Sequence, residues 1–408
     1  MQEHNLSENN FEECLKCTIC NSVCPMMAVN PSYPGPKQAG PDGERYRIKD
    51  PRYYDLALQY CLNCKRCEVA CPSGVKVGDI IRIARLKYGR QAHPFRDRIL
   101  ADTEAVCRAA SSFHGAAARL EDSRLACALM RAVGIDLHRP LPTFPGETFT
   151  QWLDGRADEQ KRFSRSVYFF PGCHVNYNCP ELGRDLVKIL NACGYGVRTV
   201  DGARCCGADL IASGFGARAR SRARANVRAL ESVDGPVLTT SSTCTFTIRE
   251  EYGNVLALDT ASVRDSVQMA VRWLSMACEE GTVRLAFRED WHAKASYHTA
   301  CHMNSLGWSV YSVGLLRMIP GMDLTVLEQE CCGMAGSFGL KKENYDFSQK
   351  IGSKLFAAIE ASSPEMVITD CESCKWQIES NVALPVMNTI SVIADALDVK
   401  KTEELNNA

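Results

Sequence analysis

The chain has 408 residues, 46% of them hydrophobic, and Lys plus Arg (47) balance Asp plus Glu (48) to a net charge of −1. That length fills the cores of two to four domains without covalent staples, and the charge balance provides no basic field to gather nucleic acid. The 22 cysteines therefore need a chemical reason, and a disulfide framework is not it. Glu3, Asn5 and Glu8 open the chain without a basic-then-apolar leader, so a reducing cytosol is expected, where thiolates bind metal. The most apolar helical stretch, Leu125 to Ile135, falls well short of the roughly 20 residues of a membrane span, and Arg131 interrupts it. Any membrane contact is expected to be peripheral or through a partner.

In chain order, the first motif is Cys14, Cys17, Cys20 and Cys24 followed by Pro25, and it recurs as Cys61, Cys64, Cys67 and Cys71 followed by Pro72. Two-residue gaps let one tight loop supply three corners of a 4Fe-4S cube, while the fourth cysteine, a helical turn further on, serves the other cluster. The spacing therefore assigns Cys14, Cys17, Cys20 and Cys71 to one 4Fe-4S centre and Cys61, Cys64, Cys67 and Cys24 to a second. Paired zinc knuckles are the alternative, and they need no such register. Thirty-six residues separate Cys24 from Cys61, too many for a compact two-hairpin ferredoxin, and Val77 to Tyr88 carries a helical pattern in Ile80, Ile81, Ala84 and Leu86. This arrangement resembles the helical ferredoxin domains of respiratory iron–sulfur subunits. Pro34 to Gly43 reads as a turn-rich surface connector, with docking by Lys37, Arg45 and Arg47 as the sharper reading.

Residues 93 to 165 are Ala- and Arg-rich, with helical spacings at Ile99, Val106, Ala110, Phe113 and Ala117 and at Leu125, Leu129, Ala132 and Val133, broken near Pro140, Pro142 and Pro145. A helical linker packed on its neighbours is expected. The alternative is an amphipathic membrane-surface element with Arg119, Arg124 and Arg131 facing anionic headgroups. Cys107 and Cys127 have no ligand-like spacing and read as small buried apolar residues.

The remaining cysteines disclose a duplication offset by about 128 residues. Cys173-His174 precedes Cys205-Cys206-Gly207 and then Cys244; Cys301-His302 precedes Cys331-Cys332-Gly333 and then Cys371 and Cys374. Each group follows a β-like run: Val167 to Phe170, Val197 to Val200 and Val237 to Thr240, then Ser296 to Thr299, Leu324 to Leu327 and Met366 to Thr369. Helical stretches such as Leu182 to Ala192 and Ala217 to Leu230 intervene. Two α/β lobes are expected, with thiolates at the carboxyl ends of their strands, where open α/β sheets place ligands. The fold class is thus multi-domain α+β: a helical two-cluster ferredoxin domain (1–92), a helical linker (93–165), and two duplicated lobes (166–285 and 286–408). A vicinal Cys-Cys-Gly suits neighbouring irons better than one tetrahedral ion, and its glycine lets the backbone approach closely.

At these residues the chain resembles the CCG-domain family, found in heterodisulfide reductase B-type subunits and in iron–sulfur subunits of glycolate and lactate oxidases. That resemblance implies a noncubane 4Fe-4S cluster held by Cys301, Cys331, Cys332, Cys371 and Cys374. The first copy departs, because Ser241 stands where the second has Cys371; Cys173, Cys205, Cys206 and Cys244 could hold zinc, an ordinary cluster or nothing. His174 and His302 are read either as tuning or proton-delivering groups beside a thiolate or as strand-end histidines satisfied by backbone. Lys375 is read as balancing cluster charge and Trp376 as core. The run Arg218, Arg220, Arg222, Arg224, Arg228 reads as a solvated helix face, and Cys179, Cys193 and Cys278 as structural.

Cys14-Leu-Lys-Cys-Thr-Ile-Cys20, Asn30 to Glu44, Cys61 to Pro72, Ser241-Ser-Thr-Cys-Thr-Phe246 and Thr369 to Glu379 look specifically like the C-subunit family of anaerobic glycerol-3-phosphate dehydrogenases. The resemblance implies a peripheral position on the cytoplasmic face of the inner membrane. It implies that a flavoprotein, the A subunit, oxidises sn-glycerol 3-phosphate with the help of the B subunit. The present chain, not itself the dehydrogenase, would carry the electrons to menaquinone. No Gly-x-Gly-x-x-Gly follows a β-like run, so no flavin or NAD fold is expected in this chain. The alternatives are a catalytic thiol/disulfide reductase like heterodisulfide reductase, the iron–sulfur subunit of a glycolate or lactate oxidase, and a zinc-stabilised docking module.

Overall fold

The structure, a computed structural model, describes residues 10–50, 53, 55–89, 93–112, 124–139 and 142–407. Glu3, Asn5, Glu8, Phe113, Ala117, Arg119 and Pro140 lie outside the described residues, as do the side chains of Arg124 and Leu125.

The cysteine duplication is a duplication of fold. One sheet holds β1 (Arg165–Phe169), β2 (Tyr195–Thr199), β3 (Val237–Thr239) and β4 (Val267–Met269) in the order β2-β1-β3-β4. The other holds β5 (Ala293–Tyr297), β6 (Met322–Val326), β7 (Met366–Ile368) and β8 (Val386–Met387) in the order β6-β5-β7-β8. Every pairing is parallel, with Val167 beside Val197 and Tyr297 beside Val326. Parallel strands are buried on both faces, and β3, with Val237, Leu238 and Thr239 all buried, shows it. The sequence pattern does not disclose β4 and β8, which are short edge strands with no cysteine behind them.

The Pro180–Ala192 helix starts on a proline whose fixed φ suits the first turn and turns Leu182, Leu186, Ile189 and Leu190 to the sheet. At Gly183 a Cβ would collide with the Phe149 ring, so the glycine sets how closely the 149–154 helix packs. One apolar core runs from Phe149 and Val167 through Leu274 to Leu355 and Ile393, which fuses the two sheets rather than leaving them as separate bodies. A second core joins Ile83 and Ala101 to Leu210 and Tyr252 of the first lobe. A third joins Met26, Ile80 and Ile81 of the amino-terminal unit to Phe338 and Ile351 of the second lobe. The Val77–Tyr88 helix forms as expected and belongs to both of these cores.

Two expectations are corrected. The Pro34 to Gly43 segment is largely buried instead of forming a surface connector: Ala39, Gly40 and Pro41 are enclosed, and fully buried Arg47 donates to the Ala39 carbonyl (2.7 Å) and to Glu44 (3.0 Å). The arginine run is not a uniformly solvated face. Arg222 is only 8% exposed and pairs with Glu104 (2.6 Å) and Asp102 (3.2 Å), while Arg218 also pairs with Asp102. Composition cannot disclose either feature, because each depends on partners brought together only by the fold.

Two described helices between the amino-terminal unit and the first sheet pack on their neighbours. The Pro94–Ala101 helix is tied to the second lobe by Arg96–Glu343 (2.7 Å) and Lys341–Asp97 (3.0 Å), and the Thr103–Ser112 helix is tied to the first lobe through Asp102 and Glu104. The Arg124–Ala132 helix leaves Leu129 and Arg131 exposed. No described helix is long and apolar enough to cross a membrane.

Candidate metal centres

All 22 cysteines are free thiols. In the amino-terminal unit the two motif loops share an unusual backbone. Lys16 and Thr18 on either side of Cys17 have φ of 59° and 65°, and Asn63 and Lys65 on either side of Cys64 have φ of 56° and 60°. Left-handed non-glycine residues are uncommon. Where such residues alternate with right-handed ones they make anion-binding nests of the kind that hold iron–sulfur sites. The Val75 N–H likewise points at Cys71 Sγ (3.3 Å).

The loops exchange their fourth cysteines. Burial pushes the Cys20 thiol up, and Cys14, Cys17 and Cys71 add to it. Burial also pushes Cys24 up to about 11, with Cys61 and Cys331 as neighbours, and Cys67 lies among Glu68, Cys64 and Cys61. The structure thus gathers Cys14, Cys17, Cys20 and Cys71 in one place and Cys24, Cys61, Cys64 and Cys67 in another. Between them and the lobes sits Lys65, fully buried, bonded to Glu68 (2.9 Å) and Asp79 and placed over the Phe246 ring. Burial opposes its charge, but Asp79, Glu68 and Glu251 together keep the ammonium protonated.

In the lobes every cysteine group follows the carboxyl end of a strand: Cys173 after β1, Cys205 and Cys206 after β2, Cys244 after β3, and Cys301, Cys331 and Cys332, Cys371 and Cys374 after β5, β6 and β7. The electrostatic plan repeats. Cys205 is pulled well below the usual thiol range because Cys173 and Cys206 donate to it, with the Gly207 N–H and Arg222 adding. Cys331 is pulled down in the same way by Cys301 and Cys332, with the Gly333 N–H (3.4 Å) and Arg66 adding. Arg66 reaches this place from the second ferredoxin motif, bonding the Gln329 carbonyl and Glu330. The glycines are required by shape: Gly207 and Gly333 have φ of 81° and 87°, and a Cβ at Gly333 would strike the Ser348 carbonyl.

The lobes differ at the fifth position. Ser241 and Cys371 each cap the helix after the third strand. Ser241 accepts from the Cys244 N–H (3.1 Å) and donates to Glu372 (2.9 Å), so its hydroxyl is committed. The first lobe therefore presents Cys173, Cys205, Cys206 and Cys244, with Cys206 and Cys244 sulfurs 3.3 Å apart. Cys371 approaches the first lobe through Thr243 (3.8 Å). Among the described residues no three His, Cys, Asp or Glu side chains are arranged around a single ion.

The paired histidines have different surroundings. His302 bonds the Asn63 carbonyl (3.2 Å) and stacks on Phe246. His174 lies edge-on to Trp376, with no partner for its Nδ1. Burial lowers both, His302 to about 3 with Lys65 adding and His174 to about 4 with Lys375 adding. Lys375 bonds Glu379 (2.5 Å) and the Val386 carbonyl rather than a thiol. A cleft of about 140 Å³ between the lobes is walled by His174, Ser241, Cys371, Glu372 and Lys375.

The residues present fit iron–sulfur groups: loops with paired left-handed residues beside two sets of four thiols, N–H groups aimed at sulfur, and a left-handed glycine after each vicinal pair. The 4Fe-4S dicluster domain family matches residues 10–75, and the cysteine-rich domain family matches residues 167–249 and 295–379. The chain is 48% identical over 400 residues to the C subunit of anaerobic glycerol-3-phosphate dehydrogenase from Escherichia coli (strain K12), covering 96% of this chain and 100% of that protein. The chain belongs to the family of anaerobic glycerol-3-phosphate dehydrogenase C subunits. This member of the family is also 28% identical to the glycolate oxidase iron–sulfur subunit of E. coli, across 96% of this chain and 95% of that one. It is 24% identical to the B subunit of fumarate reductase (CoM/CoB) from Methanothermobacter marburgensis, across 96% of this chain and 72% of the other.

Sequence reasoning missed the surroundings of the thiols. Lys65 and Arg66 are visible inside the second motif, but nothing in their spacing shows that one is buried against the first lobe and the other against Cys331.

Proposed function

We propose that this chain is the electron-transfer subunit of a flavin-dependent glycerol-3-phosphate dehydrogenase complex, passing electrons from the partner A and B subunits to menaquinone at the cytoplasmic face of the inner membrane. Iron–sulfur clusters, when bound, supply one-electron carriers between a two-electron flavin and a quinone. Cys14, Cys17, Cys20 and Cys71 would hold one 4Fe-4S cluster; Cys24, Cys61, Cys64 and Cys67 the second; Cys301, Cys331, Cys332, Cys371 and Cys374 a noncubane cluster.

The observation that carries this reading is the order of the thiol groups. Cys17 is exposed, and exposed Leu15 (70%), Ile19 and Val69 surround that end of the amino-terminal unit, which suits an apolar docking rim for the flavoprotein. The second group lies inward, and Cys24 and Cys64 both sense Cys331 of the second lobe. In this reading the path runs from a surface suited to a partner to the interlobe cleft, whose wall includes Cys371 and which we assign to the quinone headgroup. His302 and Lys65 both pack on the Phe246 ring beside this path. The exposed Arg131 and Leu129 give the Arg124–Ala132 helix a means of touching lipid.

Co-purification of the anaerobically expressed chain with its flavoprotein tests the reading: glycerol 3-phosphate should reduce a menaquinone analogue only when both are present. Reduction driven by glycolate or lactate instead would reassign the upstream fuel, a choice for which the 28% likeness to the glycolate oxidase protein is weaker support than the 48% likeness to the glycerol-3-phosphate dehydrogenase one.

A further inference from the structure

The first lobe has one thiol fewer than the second at its strand ends, and the hydroxyl standing in that position, on Ser241, is held by Glu372 and the Cys244 N–H. A fifth thiol nevertheless approaches from outside the lobe. The Thr103–Ser112 helix packs on the turn His174–Asn178 that begins directly after Cys173. Its start is fixed by polar contacts to residues flanking the vicinal pair. Thr103 donates to Asp209 (3.1 Å), and Glu104 pairs with Arg222 (2.6 Å) and Arg204 (3.0 Å).

Residues three and four apart share a helix face, so Thr103 and Glu104 put Cys107 on the side that faces the first lobe. Cys107 is 4% exposed, and its sulfur lies 3.9 Å from Asn178 Oδ1. Cys205 and Cys173 of the lobe both lie within electrostatic reach of Cys107. Arg222 is thus shared: it anchors Glu104 of this helix and faces Cys205 of the lobe.

We infer that Cys107 is the fifth thiolate of an iron–sulfur centre in the first lobe, completing the set Cys173, Cys205, Cys206 and Cys244 from a helix that precedes the lobe in sequence. The five-thiol arrangement of the second lobe is then present twice, once built from a single lobe and once assembled across two segments. The Asp102 and Glu104 ion pairs with Arg204, Arg218 and Arg222 are the clamp that brings the donor helix in.

The inference rests on the iron–sulfur reading of the lobes, and the experiment separates the two. The full-length chain, reconstituted anaerobically with iron and sulfide, is compared with Cys206→Ser, Cys107→Ser and the double variant Cys107→Ser/Ser241→Cys by iron and sulfide content and by Mössbauer and electron paramagnetic resonance spectra. Cys206→Ser should lose about four irons per chain. Cys107→Ser should lose the same irons or alter the same spectral component, leaving the ferredoxin signals in place. The double variant, which restores five thiols in the second-lobe pattern, should recover the iron. Wild-type iron and spectra in Cys107→Ser, together with loss in Cys206→Ser, would overturn the role of Cys107. No change in Cys206→Ser would overturn the first-lobe centre itself, and failure of Ser241→Cys to rescue an iron-poor Cys107→Ser would assign Cys107 to packing alone.

Discussion

The His302 imidazole of the second lobe stacks on the Phe246 ring of the first, with centroids 4.4 Å apart and planes 12° from parallel, while its Nε2 meets the Asn63 carbonyl of the ferredoxin unit. Three segments distant in sequence close on one ring. His302→Ala removes the stack and leaves a buried carbonyl without its partner, so a loss of about 2–4 kcal/mol is expected in denaturant unfolding. Electron transfer from the ferredoxin unit into the second lobe should slow in the same variant. Unchanged stability and rate would mean that the seam is held elsewhere.

Lys65 is a buried cation between Glu68 and Asp79. Breaking a buried pair by removing one partner strands the other charges, and Lys65→Met is expected to cost about 3–5 kcal/mol. Lys65→Met combined with Asp79→Asn should recover part of that loss. The urea midpoints of the three chains check this.

Gly333 and Gly202 both have positive φ, but only Gly333 has a backbone carbonyl where a Cβ would stand. Gly333→Ala should therefore prevent assembly of the second-lobe centre, read as a loss of iron. Gly202→Ala, in open space, should cost only about 1–2 kcal/mol with full iron content.

Much of the site was legible because thiolate spacing is set by the ligand. The ferredoxin register, the exchanged Cys24 and Cys71, and the strand-end positions of Cys205, Cys206, Cys331 and Cys332 all follow from local geometry that the sequence must encode. The Val77–Tyr88 helix and six of the strands were legible through apolar periodicity. The short edge strands β4 and β8 were not, because no cysteine group follows them to mark their ends. Nor was the docking of the Thr103–Ser112 helix, since Asp102, Glu104 and Arg222 pair only after the chain has folded. That is why Cys107, without a neighbouring cysteine in sequence, reads as plain apolar filling.

The clamp on that helix is expected to respond to acid. Burial disfavours the Asp102 carboxylate, but Arg222 and Arg218 outweigh it and hold the group below the usual carboxylate range. A depressed folded value means that its contribution is full above the unfolded value of about 3.9 and is lost as pH falls through the folded one. The stability difference between the wild-type chain and Asp102→Asn should thus be constant near neutrality and close below about pH 4. Urea midpoints measured across that range test the sign; a difference that widens in acid would contradict it.

In the proposed relay the thiol groups form one conducting path ending at the second lobe. The most direct measurement is quinone-analogue reduction by the intact complex carrying Cys332→Ser, with electron paramagnetic resonance recorded on the same sample. Both ferredoxin-type signals should persist while quinone reduction falls to background. Quinone reduction at the wild-type rate, with the second-lobe centre absent, would contradict the path.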